Sequence, residues 1–231
     1  MKNSIRTTFI LLIGTSLFVS CSKSGGSGTS TPTGPVNGLV ASYTQAATTG
    51  GTTTTTVYTF TYDSQNRLIE RDVTNQSPAT YVYGSGTVTE TQGTNVTVYT
   101  LNSAGLATSD NQGNAYTYDS NGYLTNETNS TTGASTTNTV SDGNIVSSVQ
   151  TSGGVTLNIS YTFLSGTNFA TTGQSFLGAA DANLIQYETI KDSFGTFTYP
   201  FTYTYDSEGR KQTEKIVEGS TTYVITFTYV S

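Results

Sequence analysis

The chain has no histidine, no tryptophan and a single cysteine. Without histidine it lacks the commonest general base near neutral pH and the commonest metal ligand. No serine elbow has an imidazole to serve it, and one cysteine excludes an internal disulfide. Charge is scarce too: only 10% of the 231 residues are charged, against an ordinary ~25%. The net charge is −6, a balance that repels a phosphate backbone and argues against nucleic acid as a partner. Calcium loops of the Asp-x-Asp-x-Asp-Gly kind and phosphate-cradling glycine loops ahead of helices are also missing. We therefore expect no catalytic residues, no cofactor and no metal site.

Long apolar runs are missing with one exception. Lys2 and Arg6 precede an apolar run from Phe9 to Val19, well short of the ~20 residues a spanning helix needs and suited to a signal peptide. The sole cysteine follows at once, and Leu17-Phe18-Val19-Ser20-Cys21 resembles a bacterial lipobox, with Phe18 where leucine is usual. The resemblance implies a signal peptide over residues 1–20 and acylation of Cys21, so that the membrane is a partner through a palmitate-type anchor. Residues 21–38 are rich in Ser, Gly, Thr and Pro, including Ser24-Gly25-Gly26-Ser27-Gly28, Pro32 and Pro35. Such a stretch cannot bury enough apolar surface to order itself and reads as a flexible tether with a reach of roughly 20 Å. Ser22 after the cysteine resembles an outer-membrane sorting pattern, with the membrane face left open.

What the chain has in abundance is Thr, Gly and aromatics, including 16 Tyr and 10 Phe. From residue 39 to 231 the dominant period is two: Tyr58, Phe60 and Tyr62 alternate with Thr59 and Thr61. The same pattern returns at Leu157, Ile159, Tyr161 and Phe163, at Tyr199, Phe201, Tyr203 and Tyr205, and at Tyr223, Ile225, Phe227 and Tyr229. Alternation of this kind marks antiparallel strands with one buried face, and Thr and Tyr favour strands. A single all-β domain follows, an antiparallel meander of a dozen or more strands in a barrel-like or strongly curled sheet.

The joints repeat. Tyr203-Thr204-Tyr205-Asp206-Ser207-Glu208-Gly209-Arg210 has close copies from Tyr116 to Leu124 and from Phe60 to Leu68. In each, the Asp is placed to accept backbone N–H groups across the turn, and Gly209, Gly122 or Asn66 takes the left-handed position. Looser copies are Asn102 to Gly105 and Ser141 to Asn144, and Gly84, Gly93, Gly133 and Gly153 suggest further turns. The interval from Thr171 to Asn183 breaks the rhythm and reads as a loop or single helical turn plugging one end of the sheet.

Tyr-x-Tyr-Asp-x-x-Gly-Arg at Tyr203 to Arg210 resembles the YD repeat of wall-associated and toxin-encapsulating proteins, without their autoproteolytic segment. A closer likeness is to uncharacterised lipoproteins of Bacteroidetes-type bacteria, which have a signal, a Ser/Gly tether and YD-like hairpins. It extends from about Val40 to the C-terminus and includes Asp181-Ala182-Asn183-Leu184-Ile185. The resemblance implies a porin-like meander barrel and carries no catalytic residues.

Few side chains invite chemistry. Asp63, Asp119 and Asp206 are accounted for by their turns. Glu70 and Asp72 share a strand face beside Arg67 and Arg71, and a solvated face with cross-strand ion pairs explains them better than a paired-carboxylate site. Asp206 and Glu208 form a capped turn rather than a calcium site, with Arg210 as an exposed strand start. Three readings remain: an outer-membrane, lipid-anchored, non-enzymatic domain with a structural or envelope-protein-binding role; a glycan- or host-ligand-binding surface protein using its aromatic stripes; and an integral porin-like barrel.

Overall fold

The computed structural model describes residues 38–230 apart from 168, 169 and 173; the signal segment, Cys21 and the tether up to residue 37 lie outside the described residues. Sixteen strands follow in chain order. The first eight are β1 (Val40–Thr49), β2 (Thr52–Tyr62), β3 (Leu68–Val73), β4 (Ala79–Tyr83), β5 (Thr87–Gln92), β6 (Asn95–Leu101), β7 (Ala107–Asp110) and β8 (Asn114–Tyr118). The second eight are β9 (Leu124–Asn129), β10 (Ser135–Ser141), β11 (Asn144–Ser152), β12 (Val155–Thr167), β13 (Asn183–Asp192), β14 (Gly195–Tyr205), β15 (Lys211–Glu218) and β16 (Thr221–Tyr229). Each pairs antiparallel with its sequence neighbours, and β1 pairs with β16, so the meander closes into a barrel and leaves no edge.

The alternation decides the two faces. Tyr43, Phe60, Tyr81, Tyr99, Tyr116 and Phe227 point inward and are buried. Outward positions are largely Thr, and these pair through their hydroxyls across neighbouring strands, as in Thr189 with Thr198 at 3.0 Å and Thr204 with Thr213 at 2.7 Å. Burying one large aromatic side chain is worth about 1.5–3 kcal/mol, so the inward set fixes the register.

One end of the barrel carries the repeat turns, and the other carries short turns such as Gly50-Gly51 and Gly153-Gly154. At the repeat end Asp206 and Asp63 each do two jobs. Asp206 Oδ1 accepts the N–H groups of Glu208 and Arg210 at 3.1 and 2.8 Å, while its Oδ2 meets Arg210 Nε at 2.7 Å. Asp63 repeats the arrangement with Gln65 and Arg67. Gly209 at φ 77° and Asn66 at φ 61° supply the left-handed turn residue.

The arginines continue the unit sideways. Arg67 lies 4.3 Å over the ring of Tyr83, whose hydroxyl donates to the Leu68 carbonyl at 3.0 Å. Arg210 lies 4.5 Å over Tyr229, whose hydroxyl donates to the Lys211 carbonyl at 2.6 Å. Arg210 is thus half-buried between an aspartate and a ring, which corrects the expectation of an exposed strand start. The Asp–Arg–Tyr clamp locks the Asp63 and Asp206 hairpins to the next strand pair, while the Asp119 hairpin has Tyr123 in place of the arginine.

The interval between β12 and β13 closes the repeat end, as expected. Among the described residues its only helical piece is one 3-10 turn, Ser175–Leu177. Thr171 exchanges backbone hydrogen bonds with Gly38 and Val40, Ala179 N–H donates to the Gly122 carbonyl at 2.8 Å, and Ala182 N–H donates to that of Gly143 at 2.8 Å. Phe176, 2% exposed, enters the barrel against Tyr81, Tyr83 and Tyr99. The plug is therefore sewn to β1 and to two hairpin turns, with an aromatic anchor in the core.

Candidate functional site

The barrel interior is not filled evenly. A continuous core runs along β1–β8 and β16 with Phe176, whereas a cavity of about 670 Å³ lies along β9–β15, with Arg71, Glu90, Tyr99, Asp110 and Tyr116 reaching it from the packed side. Its lining runs from Leu177 and Ala179 of the plug to Gln112, Asp192 and Glu218 beside the far-end turns. A volume in the range of roughly 300–1,000 Å³ suits one small organic ligand.

The inward residues of β10 and β11 explain the space. Thr136, Asn138, Ser148 and Gln150 are short or polar where the packed side has rings. Three strands along the wall from β11, β14 presents Phe197, Tyr199, Phe201 and Tyr203 in succession. The aromatic stripes seen in the sequence therefore divide between two uses: those of β2 and β16 are core, while those of β12 and β14 are cavity wall.

The lining is acidic. Among the described residues it holds eight carboxylates, Glu90, Asp110, Glu127, Asp181, Glu188, Asp192, Glu214 and Glu218, and two cations, Arg71 and Lys211. More than half of the chain's 15 acidic residues thus face one internal space. Both cations are engaged by carboxylates. Arg71 approaches Glu90 at 3.4 Å, and buried Lys211 meets Glu214 at 2.8 Å while lying 4.4 Å from the Phe227 ring centre.

Other carboxylates are held by hydroxyls, amides and backbone. Glu90 accepts from Tyr81 at 3.0 Å and Tyr99 at 3.2 Å. Asp110 accepts from Asn114 Nδ2 at 2.7 Å and Tyr116 at 2.8 Å; burial pushes its carboxyl up, but these donors outweigh it and hold it below the ordinary range. Burial pushes Asp181 up to about 6 against the pull of the Ile145 N–H, which donates to it at 2.6 Å. Glu188 is pushed up to about 7 by burial and the nearby Glu218 charge, against a hydrogen bond from Tyr161. Burial and Asp110 raise Glu127.

The residues considered from sequence are scattered. Glu70 and Asp72 are exposed on the outer face as expected, but their ion pairs are not formed as read: Arg71 turns inward to Glu90, and Arg67 pairs with Asp63. Arg71 lies between Glu70 and Asp72 in the strand alternation and so takes the inner face with Val73, and the register shift opposite Thr61 and Tyr62 brings Leu68 to that face as well. Glu208 is bound by Arg210 within its turn. Among the described residues no group of three His, Cys, Asp or Glu is placed to hold a metal ion. Cys21, the expected lipidation site, lies outside the described residues.

The lumenal carboxylates escaped the sequence reading, although parity marks some of them. In Thr87-Val88-Thr89-Glu90-Thr91-Gln92 the glutamate shares the face of buried Val88, and Glu188 shares the face of Ile190. A charge on the inward parity of a strand was the available signal.

A closed, even-numbered, up-and-down barrel with an internal space defines a porin-like fold. In agreement, the chain is similar in fold to a porin-like protein from Bacteroides uniformis whose crystal structure is known. The TM-score is 0.65 at 18% sequence identity, covering 83% of this chain and 98% of that one. No family model and no curated protein matches the chain.

Proposed function

We propose that the chain is an envelope protein, anchored by lipid on Cys21, whose non-enzymatic barrel stands in water and holds a small ligand in its lumen. The observation that carries this reading is the distribution of the faces. A spanning barrel turns an apolar band ~25 Å tall toward lipid, flanked by aromatic girdles. Here the rings point inward and the outer wall is threonine, with separate valines such as Val82, 65% exposed, between them. The porin-like fold supports an outer-membrane setting and agrees in architecture with the integral-barrel reading, but the outer wall favours the tethered one. Exposed aromatics do not group into a glycan platform either: Tyr187 stands within β13, Phe194 at the far end and Tyr205 at the repeat end.

Residues 36–231 contain all sixteen strands of the described residues and the closure of β1 on β16, so they suffice for the test. The expected result is a protein soluble and monodisperse without detergent. A fragment screen by NMR then shifts lumenal Tyr161 and Tyr203 while leaving outward Tyr187 unchanged. A barrel that needs detergent, or that conducts ions across a planar bilayer, would replace this reading with the spanning one.

A further inference from the structure

We infer that the lumen takes a neutral polyhydroxylated ring, the chemistry of a single sugar or cyclitol, on the polar panel that Thr136, Asn138, Ser148 and Gln150 form across β10 and β11; this rests on the reading of the lumen as a ligand compartment.

The strand register builds the panel. Asn138 stands opposite Ser148 and Thr136 opposite Gln150, and all four line the cavity. Neighbouring strands lie about 5 Å apart and alternate residues about 7 Å apart along one strand, so the four side chains mark the corners of a small rectangle. On one side β12 continues both rows with Ile159 and Leu157, and on the other β9 sets Glu127 beside Thr136. Hydroxyls and amides therefore adjoin an aliphatic strip. A hydroxyl-bearing six-membered ring spans such a rectangle, with polar groups at its edge and C–H groups for the strip.

An orphan hydroxyl within the panel points to a ligand. Ser148 is 4% exposed, and its Oγ is buried without a hydrogen-bond partner in the protein. Val149 beside it is exposed on the outer wall, so parity turns Ser148 into the barrel. Buried polar groups are nearly always paired, and the missing partner belongs on the cavity side. The Asn138 amide across from it is held in place by donating from Nδ2 to the Leu124 carbonyl at 3.0 Å.

The ligand is neutral because the panel is. Charged groups elsewhere in the lumen find partners within the wall: Glu90 in Tyr81, Tyr99 and Arg71, Asp110 in Asn114 and Tyr116, and Glu214 in Lys211. An anion would meet the eight carboxylates of the lining, and the four panel side chains carry no charge to hold a cation. Burial and the Asp110 charge disfavour the ionised form of Glu127, the acid beside the panel. Hydroxyl and amide side chains both donate and accept, which matches a ligand whose every hydroxyl does the same.

The test titrates residues 36–231 at pH 7 by calorimetry with probes that share a six-membered ring: the neutral polyols myo-inositol and D-glucose, cyclohexanol with its single hydroxyl, anionic D-glucuronate and cationic D-glucosamine. At least one polyol should bind saturably and about tenfold more tightly than cyclohexanol or either charged ring. Ser148→Ala should lower polyol affinity about fivefold without lowering the stability of the free protein, since the hydroxyl has no partner there to lose. Ser148→Ala with Gln150→Leu should abolish polyol binding and leave the NMR signals of Tyr203 on β14 unmoved, which shows that the fold is intact. Cyclohexanol or a charged ring bound as tightly as the polyols, polyol binding that survives the double substitution, a Ser148→Ala protein that is less stable, or silence from all five probes overturns the assignment. The compartment reading falls separately, with the detergent requirement or an unshifted fragment screen.

Discussion

The two sides of this barrel share one backbone pattern and reach opposite ends. Along β1–β8 and β16 the inward positions include Tyr43, Phe60, Leu68, Tyr81 and Phe227, and with Phe176 from the plug they meet in a packed core. Along β10 and β11 the inward positions include Thr136, Asn138, Ser148 and Gln150, and a cavity remains beside them. A sixteen-strand closure is wide enough to leave a channel if side chains do not reach across. Parity therefore sets which residues face inward, and their size and polarity decide whether the interior becomes core or compartment.

The largest test of that contrast compares truncations on the two sides. Phe176→Ala should cost about 3–5 kcal/mol in urea unfolding, because a ring enclosed by three tyrosines leaves a void. Leu157→Ala, on the half-buried cavity wall, should cost under about 2 kcal/mol. Equal losses would erase the distinction.

Next comes the charge stored on the hollow side. Glu188 is raised from 4.5 to about 7, chiefly by burial, so the folded state holds a proton that the unfolded chain releases. Native protein is then favoured least at high pH: stability falls as pH rises from ~4.5 to 7 and levels off above it. The difference between wild type and Glu188→Gln should be near zero at pH 4 and grow to roughly 3 kcal/mol in favour of the variant at pH 8. A pH-independent difference would show that Glu188 is not held in a desolvated site.

On the packed side, Tyr83→Phe removes the bond to the Leu68 carbonyl but keeps the ring under Arg67. About 1 kcal/mol should be lost, seen as a Tm lower by roughly 2–4 °C. A larger drop would mean that the hydroxyl rather than the stacked ring holds the clamp. The smallest effect belongs to the outer wall: Thr198→Val should change unfolding free energy by less than ~0.5 kcal/mol, since its hydroxyl partner Thr189 is open to water.

Much of this could be read before any coordinates. The alternation around Tyr58, Phe60 and Tyr62 forces an antiparallel sheet with a ringed face, because side chains on an extended backbone change sides at every residue. Asp206 and Gly209 force a hairpin, because an acceptor and a left-handed residue at that spacing close a turn. The break at Thr171 to Asn183 marks the plug for the same local reason. The partners of Arg71 and Arg210 were missed because Glu90 and the Tyr229 ring come from other hairpins.

The site lay further from reach. Glu188, Tyr161 and Tyr199 are on three strands, and only the register between β12, β13 and β14 sets them abreast. The sequence by itself determined the strands, their turns and the side of the sheet that each residue takes, all of which follow from neighbours a few positions apart. The tertiary structure alone decided that β1 meets β16, that the plug fills one end, and that eight carboxylates share an internal space, because closure and cavity volume depend on residues far apart in the chain meeting across the barrel.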